Sequence, residues 1–142
     1  MGWDRFFSMY LSLVLILLSP TTFTGSKDTP GQKKKTWREA LRYCRENHVD
    51  LVSVHTEGIQ RWVEIVTRKT STDNVWVGLR HTCDLKFWFW VSGEFLCYQN
   101  WAQRLEMQDC SNGERSGAVQ SGSKQWISLL ENQTLNFICT TK

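Results

Sequence analysis

Cysteines are the residues of this sequence with the clearest chemistry, and there are five of them. They are Cys44, Cys83, Cys97, Cys110 and Cys139. No two have the Cys-x-x-Cys spacing of a zinc-ligand pair or a redox motif, so they predict disulfide bonds, with one thiol left over. The three histidines also lack the spacing of metal ligands. They are His48, His55 and His81.

The first 26 residues have the pattern of a secretory signal peptide. Residues 10–18 are apolar, Ser19 and Pro20 end that run, and residues 24–26 suit a cleavage site. The run is shorter than the roughly 18 residues that a membrane-spanning helix needs. We therefore predict a secreted, extracellular protein with no membrane insertion after cleavage, in a compartment where disulfides form. A membrane-anchored receptor is the alternative if the signal is not cleaved.

Length and composition leave room for a single domain. The chain has 142 residues and eight Trp, which supply much of the apolar area that a small core needs. Residues 27–35 are polar and form a linker that ends in a basic run, residues 33–35, so the domain is expected at residues 36–142. The net charge is only +3, and no aromatic residues interleave with the basic run, so no nucleic-acid partner is predicted.

Two amphipathic helices are expected at the start of this domain. Thr36 and Glu39 have the spacing of a capping box, and apolar residues follow at helical spacing to about Asn47. Thr56 can cap a second helix, in which apolar residues from Ile59 to Val66 form one stripe.

The second half of the chain has the composition of β-strands. Short strands are predicted at residues 50–54, 75–79, 87–91, 117–120 and 125–130, and a closing strand at residues 135–140. Helices followed by strands predict an α+β domain with an antiparallel sheet.

Several landmarks occur in one order along this chain. They are Trp37 and Cys44 in the first helix, residues 76–79 (Trp-Val-Gly-Leu), residues 89–93 (Phe-Trp-Val-Ser-Gly), residues 98–101 (Tyr-Gln-Asn-Trp), Trp126, and residues 137–139 (Phe-Ile-Cys). In this order and spacing the sequence resembles the C-type lectin-like domains, from about residue 33 to residue 141. The resemblance implies two helices packed on antiparallel sheets and stapled by disulfides. Residues 31–34 replace the family's usual first strand, which we expect to be missing or poorly formed.

The resemblance also implies one of the disulfides. The family joins the cysteine of its first helix to that of its last strand, which here implies Cys44–Cys139. Both residues lie on faces that are predicted to be buried. A bond that closes a loop of roughly 100 residues stabilises the fold by about 4.7 kcal/mol in the chain-entropy model.

The second disulfide of the family has lost a partner here. Cys110 matches its first cysteine, but the position of the second, five residues after the late Trp, is Glu131. We therefore expect Cys83–Cys97, on either side of the aromatic segment, with Cys110 free or bonded to another chain. Cys83–Cys110 and Cys97–Cys110 stay open, because spacing does not determine connectivity.

The sugar site of the family depends on calcium, which needs six to eight oxygen ligands. The protein supplies them from a Glu-Pro-Asn or Gln-Pro-Asp loop and from an Asn-Asp pair after the late Trp. Residues 102–109 contain neither loop, and residues 127–128 are Ile-Ser. We therefore expect no calcium and no other cofactor. Glu106, Asp109 and Glu114 could rebuild a weak cation site, but we expect them to be solvated.

A ligand could instead bind to aromatic and polar side chains of the long loop. Trp101, Arg104, Glu106 and Asp109 are the candidates, with Met107 beside them, because aromatic and Arg residues often anchor recognition surfaces. The alternative is that Trp101 belongs to the core.

The function predicted is a secreted recognition protein that binds carbohydrate or glycoprotein ligands, in a setting of innate defence that only the resemblance implies. The alternative is a protein-binding module, such as a homodimer disulfide-linked through Cys110. No enzyme is predicted, because a Cys110 nucleophile would lack a recognisable His or basic partner. Asn132 begins a glycosylation sequon in a predicted turn.

Overall fold

Two helices and seven strands follow one another in the part of the chain that the computed structural model describes, residues 33–103, 108 and 110–141. The helices are α1 (Trp37–Asn47) and α2 (Glu57–Thr67). The strands are β1 (Asp50–Leu51), β2 (Asn74–Thr82), β3 (Phe87–Trp90), β4 (Arg115–Gln120), β5 (Trp126–Leu130), β6 (Asn136–Phe137) and β7 (Cys139–Thr140). The signal peptide predicted at residues 1–26 lies outside the described residues. None of the described helices has the length and apolar character to cross a membrane.

Both helices begin where the sequence predicts, because their caps are local. The Thr36 hydroxyl accepts a hydrogen bond from the Glu39 backbone N–H at 3.3 Å, and the Glu39 carboxylate accepts one from the Thr36 N–H at 3.0 Å. At α2 the Thr56 hydroxyl accepts from the Ile59 N–H at 3.2 Å. Such caps are typically worth about 1 kcal/mol each.

The main sheet has the order β3-β2-β4-β5, with all three neighbouring pairs antiparallel. β6 lies beside β2 in a short parallel pair, and β1 pairs with β7 in a separate two-stranded sheet. This architecture confirms the α+β prediction. At the front of the domain Lys35 forms an isolated bridge with Leu135.

The prediction of one continuous closing strand over residues 135–140 is wrong. The chain changes partner at Ile138, which is fully buried. Its N–H donates to the Trp76 carbonyl, while its own carbonyl accepts from the Val52 N–H. The segment therefore passes from β2 to β1 and separates into β6 and β7. The first predicted strand is likewise shorter than residues 50–54, because β1 pairs with only the two residues of β7.

The core lies on both faces of the main sheet, because neighbouring side chains of a strand point to opposite faces. Trp76 packs in a cluster with residues of α1, whereas Val75, Val77 and Leu79 pack in a second cluster with residues of α2. The buried Trp37 indole helps to fix these layers, since it donates to the Val77 carbonyl of β2 at 2.9 Å.

Candidate functional site

Two disulfides lie within the described residues, and one of them anchors the long loop between β3 and β4. The first joins Cys44 of α1 to Cys139 of β7, with the Cα atoms 5.4 Å apart, as the resemblance implied. It closes a segment that spans 95 positions of the sequence. This bond holds the two ends of the domain together.

The second disulfide corrects the sequence prediction. It joins Cys83 to Cys110, with the Cα atoms 6.1 Å apart, and Cys97 is a free, exposed thiol. The Cys83–Cys97 pair and a Cys110 that is free or bonded to another chain were therefore wrong expectations, and Cys83–Cys110 is one of the two pairings that spacing had left open. With Cys110 oxidised, the hypothesis of a Cys110 nucleophile also fails.

The register of the β2–β3 hairpin explains the error. Cys83 lies at the hairpin turn, since Thr82 is paired with Phe87. When β3 ends at Trp90, that residue is opposite Leu79, about 13 Å back along the sheet at 3.3 Å per residue. The chain that leads to the next cysteine thus begins far from Cys83, whereas the loop returns Cys110 to the turn.

Glu131, which stands where the family has its second cysteine, replaces a covalent bond by charge pairing. Its carboxylate forms an ion pair with Arg80, which is 8% exposed, and a second one with Arg38 at 3.3 Å. Burial alone would raise the pKa of Glu131, but the hydrogen bonds and charges of the two arginines outweigh it and hold the pKa below its usual value. Arg80 also donates to the Ser116 hydroxyl at 3.2 Å and lies over the Trp37 ring. Sequence reasoning missed this network, because nothing local marks its members.

Trp101 is half-buried and joins the loop to the core. Its ring packs against Trp88 and Trp126 at centroid distances of 4.9 and 5.5 Å, and its Nε1–H donates to the Gln99 side chain at 3.0 Å. Trp101 therefore contacts the core, as the alternative interpretation of the sequence expected, and keeps a partly exposed edge. The other three predicted binding residues lie outside the described residues. They are Arg104, Glu106 and Asp109.

Ser128 occupies the position at which the family's calcium ligands follow the late Trp, and Arg115 covers it. The Arg115 Nε–H donates to the Ser128 hydroxyl at 2.7 Å, and a second guanidinium N–H donates to the Ser128 carbonyl at 2.8 Å. The hydroxyl in turn donates to the Gln108 side chain at 2.7 Å. Calcium needs many free oxygen ligands. A guanidinium that already uses both Ser128 oxygens and adds a positive charge does not suit a divalent cation.

His81 lies beside the second disulfide, which sequence spacing did not suggest. The nearest ligand atoms of His81, Cys83 and Cys110 lie within 4.8 Å of one another. Burial lowers the pKa of the His81 imidazole, although the charge of Glu114 raises it in part. Because both sulfurs are oxidised to a disulfide, they are not the thiolates that a metal would require. The His-x-Cys spacing at the end of a strand could have indicated this cluster, because residues two positions apart in a strand point to the same face.

The family model described as "Lectin C-type domain" matches residues 33–141, which is most of the chain. The chain belongs to the C-type lectin domain family. The two helices, the antiparallel sheets and the Cys44–Cys139 disulfide described above are those of a C-type lectin domain, whereas Cys83–Cys110 differs from the second disulfide of the family.

Individual relatives agree with this assignment. Human Lithostathine-1-beta is 31% identical over 111 residues, which cover 76% of this chain and 67% of that protein. Snaclec 5 from Echis pyramidum leakeyi is 29% identical over 151 residues, covering 98% of this chain and 97% of the relative.

Solved structures of C-type lectin domains superpose on the chain. Human lithostathine does so with a TM-score of 0.66 and 25% identity, covering 77% of this chain and 86% of the other. The cow carbohydrate-recognition domain of CD23, solved with an oligosaccharide, has a TM-score of 0.61 and 27% identity, covering 75% and 79% of the two chains.

Proposed function

We propose that this C-type lectin domain is a secreted recognition protein that binds carbohydrate or glycoprotein ligands without the calcium-dependent sugar site of its family. The observation that carries the proposal is the pairing of the Arg115 guanidinium with both oxygens of Ser128. At this position the family's sugar site requires cation ligands. We infer that binding here is direct, from protein groups to the ligand, with no calcium and no other cofactor between them.

The groups around Ser128 suit such direct binding. Ser128 and Trp126 lie on the same face of β5, about 7 Å apart along the strand at 3.3 Å per residue, and Trp101 packs on Trp126. An aromatic edge thus lies next to the polar side chains of Arg115 and Gln108. Indole and guanidinium groups are frequent anchors of recognition surfaces, and amides both donate and accept hydrogen bonds, as sugar hydroxyls require.

A glycan array probed with the secreted protein, in calcium and again in chelator, tests the proposal. We expect the same ligands in both conditions, with signals that agree within about twofold. The Gln108→Ala and Arg115→Gln variants should each lose about tenfold or more in affinity, which corresponds to 1.4 kcal/mol, roughly one or two lost hydrogen bonds. Gln133→Ala is the matched control, since Gln133 is exposed in the turn after β5, and it should bind as the wild type does. Loss of binding in chelator, or equal loss in the control, would contradict this site.

Secretion is part of this proposal and has its own test. The apolar run at residues 10–18 supports it, as do the two disulfides, which form in oxidising compartments. We expect the intact mass of protein from culture medium to lack about 24–26 N-terminal residues, as the signal-peptide pattern indicates. Full-length chain retained in the membrane fraction would favour the anchored receptor instead.

A further inference from the structure

An apolar patch lies at the outer edge of the main sheet. We call it the β3 patch and define it by Leu85, Phe87, Phe89 and Phe95. Leu85 is 71% exposed, Phe87 46% and Phe95 86%. Large apolar side chains that are exposed singly are ordinary, but a contiguous group of them marks an interaction surface.

The β3 patch borders a cavity, so its surface has both a protrusion and a recess. The cavity has a volume of about 550 Å³, and apolar side chains make up most of its wall, among them Leu85, Phe87, Phe95 and Leu96. Phe95 extends from the loop that follows β3, at the rim of this recess. A surface that carries a protruding ring beside an apolar recess can be complementary to itself, as a two-fold interface requires.

The strand beneath the patch is an edge strand. Among the described residues β3 is paired with β2 alone, so the backbone groups on its other side are available to a partner. Asp84 and Lys86 flank Leu85 at the hairpin turn. In a two-fold arrangement in which the hairpin turns of two copies meet at Leu85, the Lys86 ammonium of one copy can lie near the Asp84 carboxylate of the other, so the charges also suit a second copy.

The area of the patch is too small for a stable interface by itself. With 150–250 Å² for a large side chain, the exposed parts of Leu85, Phe87 and Phe95 amount to about 300–500 Å² in each copy. Two copies would therefore bury about 600–1,000 Å², against the 1,200–2,000 Å² of stable interfaces. Association through the β3 patch needs a further link.

Cys97 is placed to supply that link. It is exposed and unpaired, and it follows Phe95 by two residues in a segment where exposure alternates, so that Phe95, Cys97 and Gln99 are exposed and Leu96 and Tyr98 are half-buried. The thiol thus lies on the same side of the segment as the protruding ring. Two intrachain disulfides leave one cysteine in each chain, and a second copy brings one matching thiol.

We propose that two copies of this chain associate through their β3 patches and are joined by a disulfide between their Cys97 residues. A small disulfide such as oxidised glutathione is the oxidant. One Cys97 thiolate attacks it, forms a mixed disulfide and releases one glutathione thiol. The Cys97 thiolate of the second copy then attacks the Cys97 sulfur of this mixed disulfide and releases the second glutathione, so that two protein thiols are oxidised and one glutathione disulfide is reduced. Apolar contact between the patches raises the effective concentration of the second thiol.

The test follows dimer formation of the folded, secreted protein in a glutathione redox buffer, by non-reducing electrophoresis and light scattering. We expect a covalent dimer of the wild type that reductant dissociates, and a monomer for Cys97→Ser. Phe95→Asp should slow dimer formation by about tenfold or more, because it places charge in the patch; a tenfold effect corresponds to 1.4 kcal/mol. Val49→Asp changes an exposed apolar residue elsewhere and should leave the rate within about twofold.

A second control moves the thiol away from the patch. Cys97→Ser combined with Gly122→Cys places it at the β4–β5 hairpin, where a side chain meets no atom within 4 Å. This double variant should dimerise at least about tenfold more slowly than the wild type. Equal rates for these two proteins, or for the wild type and Phe95→Asp, would show that an exposed thiol suffices and would overturn the interface. A wild type that stays monomeric with glutathione on Cys97 would overturn it as well.

Discussion

Replacing Glu131 by Gln tests the ion pair that stands where the family has a cysteine. The variant keeps the shape of the side chain but removes its charge from Arg80, whose remaining partners are the Ser116 hydroxyl at 3.2 Å and the Trp37 ring at 4.9 Å. Breaking a fully buried ion pair costs about 3–5 kcal/mol. The Glu131 side chain is 26% exposed and Gln retains an acceptor, so we expect a loss of about 2 kcal/mol. In a domain of this size that lowers Tm by about 10 °C.

The effect should depend on pH in a defined direction. The two arginines hold the pKa of Glu131 below its usual value, so the carboxylate stabilises the fold above the pKa of the unfolded carboxyl, about 4.3. This contribution is lost as the pH falls through the lower pKa of the folded state. The difference between wild type and variant should therefore be largest near neutral pH and should shrink in acid.

Urea unfolding followed by Trp fluorescence, at neutral and acid pH, measures this difference. Glu57→Gln is the control, since it removes a salt bridge with Arg61 in which both side chains are exposed, and such pairs contribute about 0–1 kcal/mol. The reasoning is refuted if both variants lose the same stability, or if the loss in Glu131→Gln is the same at all pH values.

Three further predictions concern the Cys44–Cys139 disulfide, a glycine of β4 and the glycosylation sequon. Changing both Cys44 and Cys139 to Ser should lower the free energy of unfolding by about 4–5 kcal/mol, as the loop-entropy model gives for a loop of this length, and urea titration measures this loss. Gly117→Ala should cost about 1–3 kcal/mol, because its Cβ would lie 2.6 Å from a β2 leucine side chain, whereas Gly122→Ala, whose Cβ meets no atom within 4 Å, should be close to neutral by the same measurement. Asn132 is exposed in the turn after β5, so a glycosidase should reduce the mass of the protein from eukaryotic cells, and Asn132→Gln should abolish that shift.

The elements that depend on nearby residues could be predicted from the sequence. The capping box of Thr36 and Glu39 and the cap at Thr56 act over three residues, and both helices begin where these patterns placed them. Most of the strands were found because apolar and β-branched runs suit a buried sheet. Which strands pair with one another was harder to predict from the sequence. No local pattern marks the change of pairing partner at Ile138.

The candidate site could be predicted only in part. The role of Trp101 in ligand binding stays a prediction, and its packing on Trp126 depends on how the loop returns to β5. The pairing of Arg115 with Ser128 joins neighbouring strands, and it follows from the β4–β5 register rather than from any spacing in the chain.

The sequence by itself determined the order of helices and strands and the family, because caps, apolar periodicity and spaced landmarks are properties of short segments. Tertiary structure decided which cysteines are bonded, since the hairpin register carries the chain away from Cys83 before it reaches Cys97 and the loop then returns Cys110 to the turn. It also decided that Arg80 would lie against Glu131, 51 positions away. Contacts of this kind depend on the three-dimensional path of the backbone, which no short segment of sequence contains.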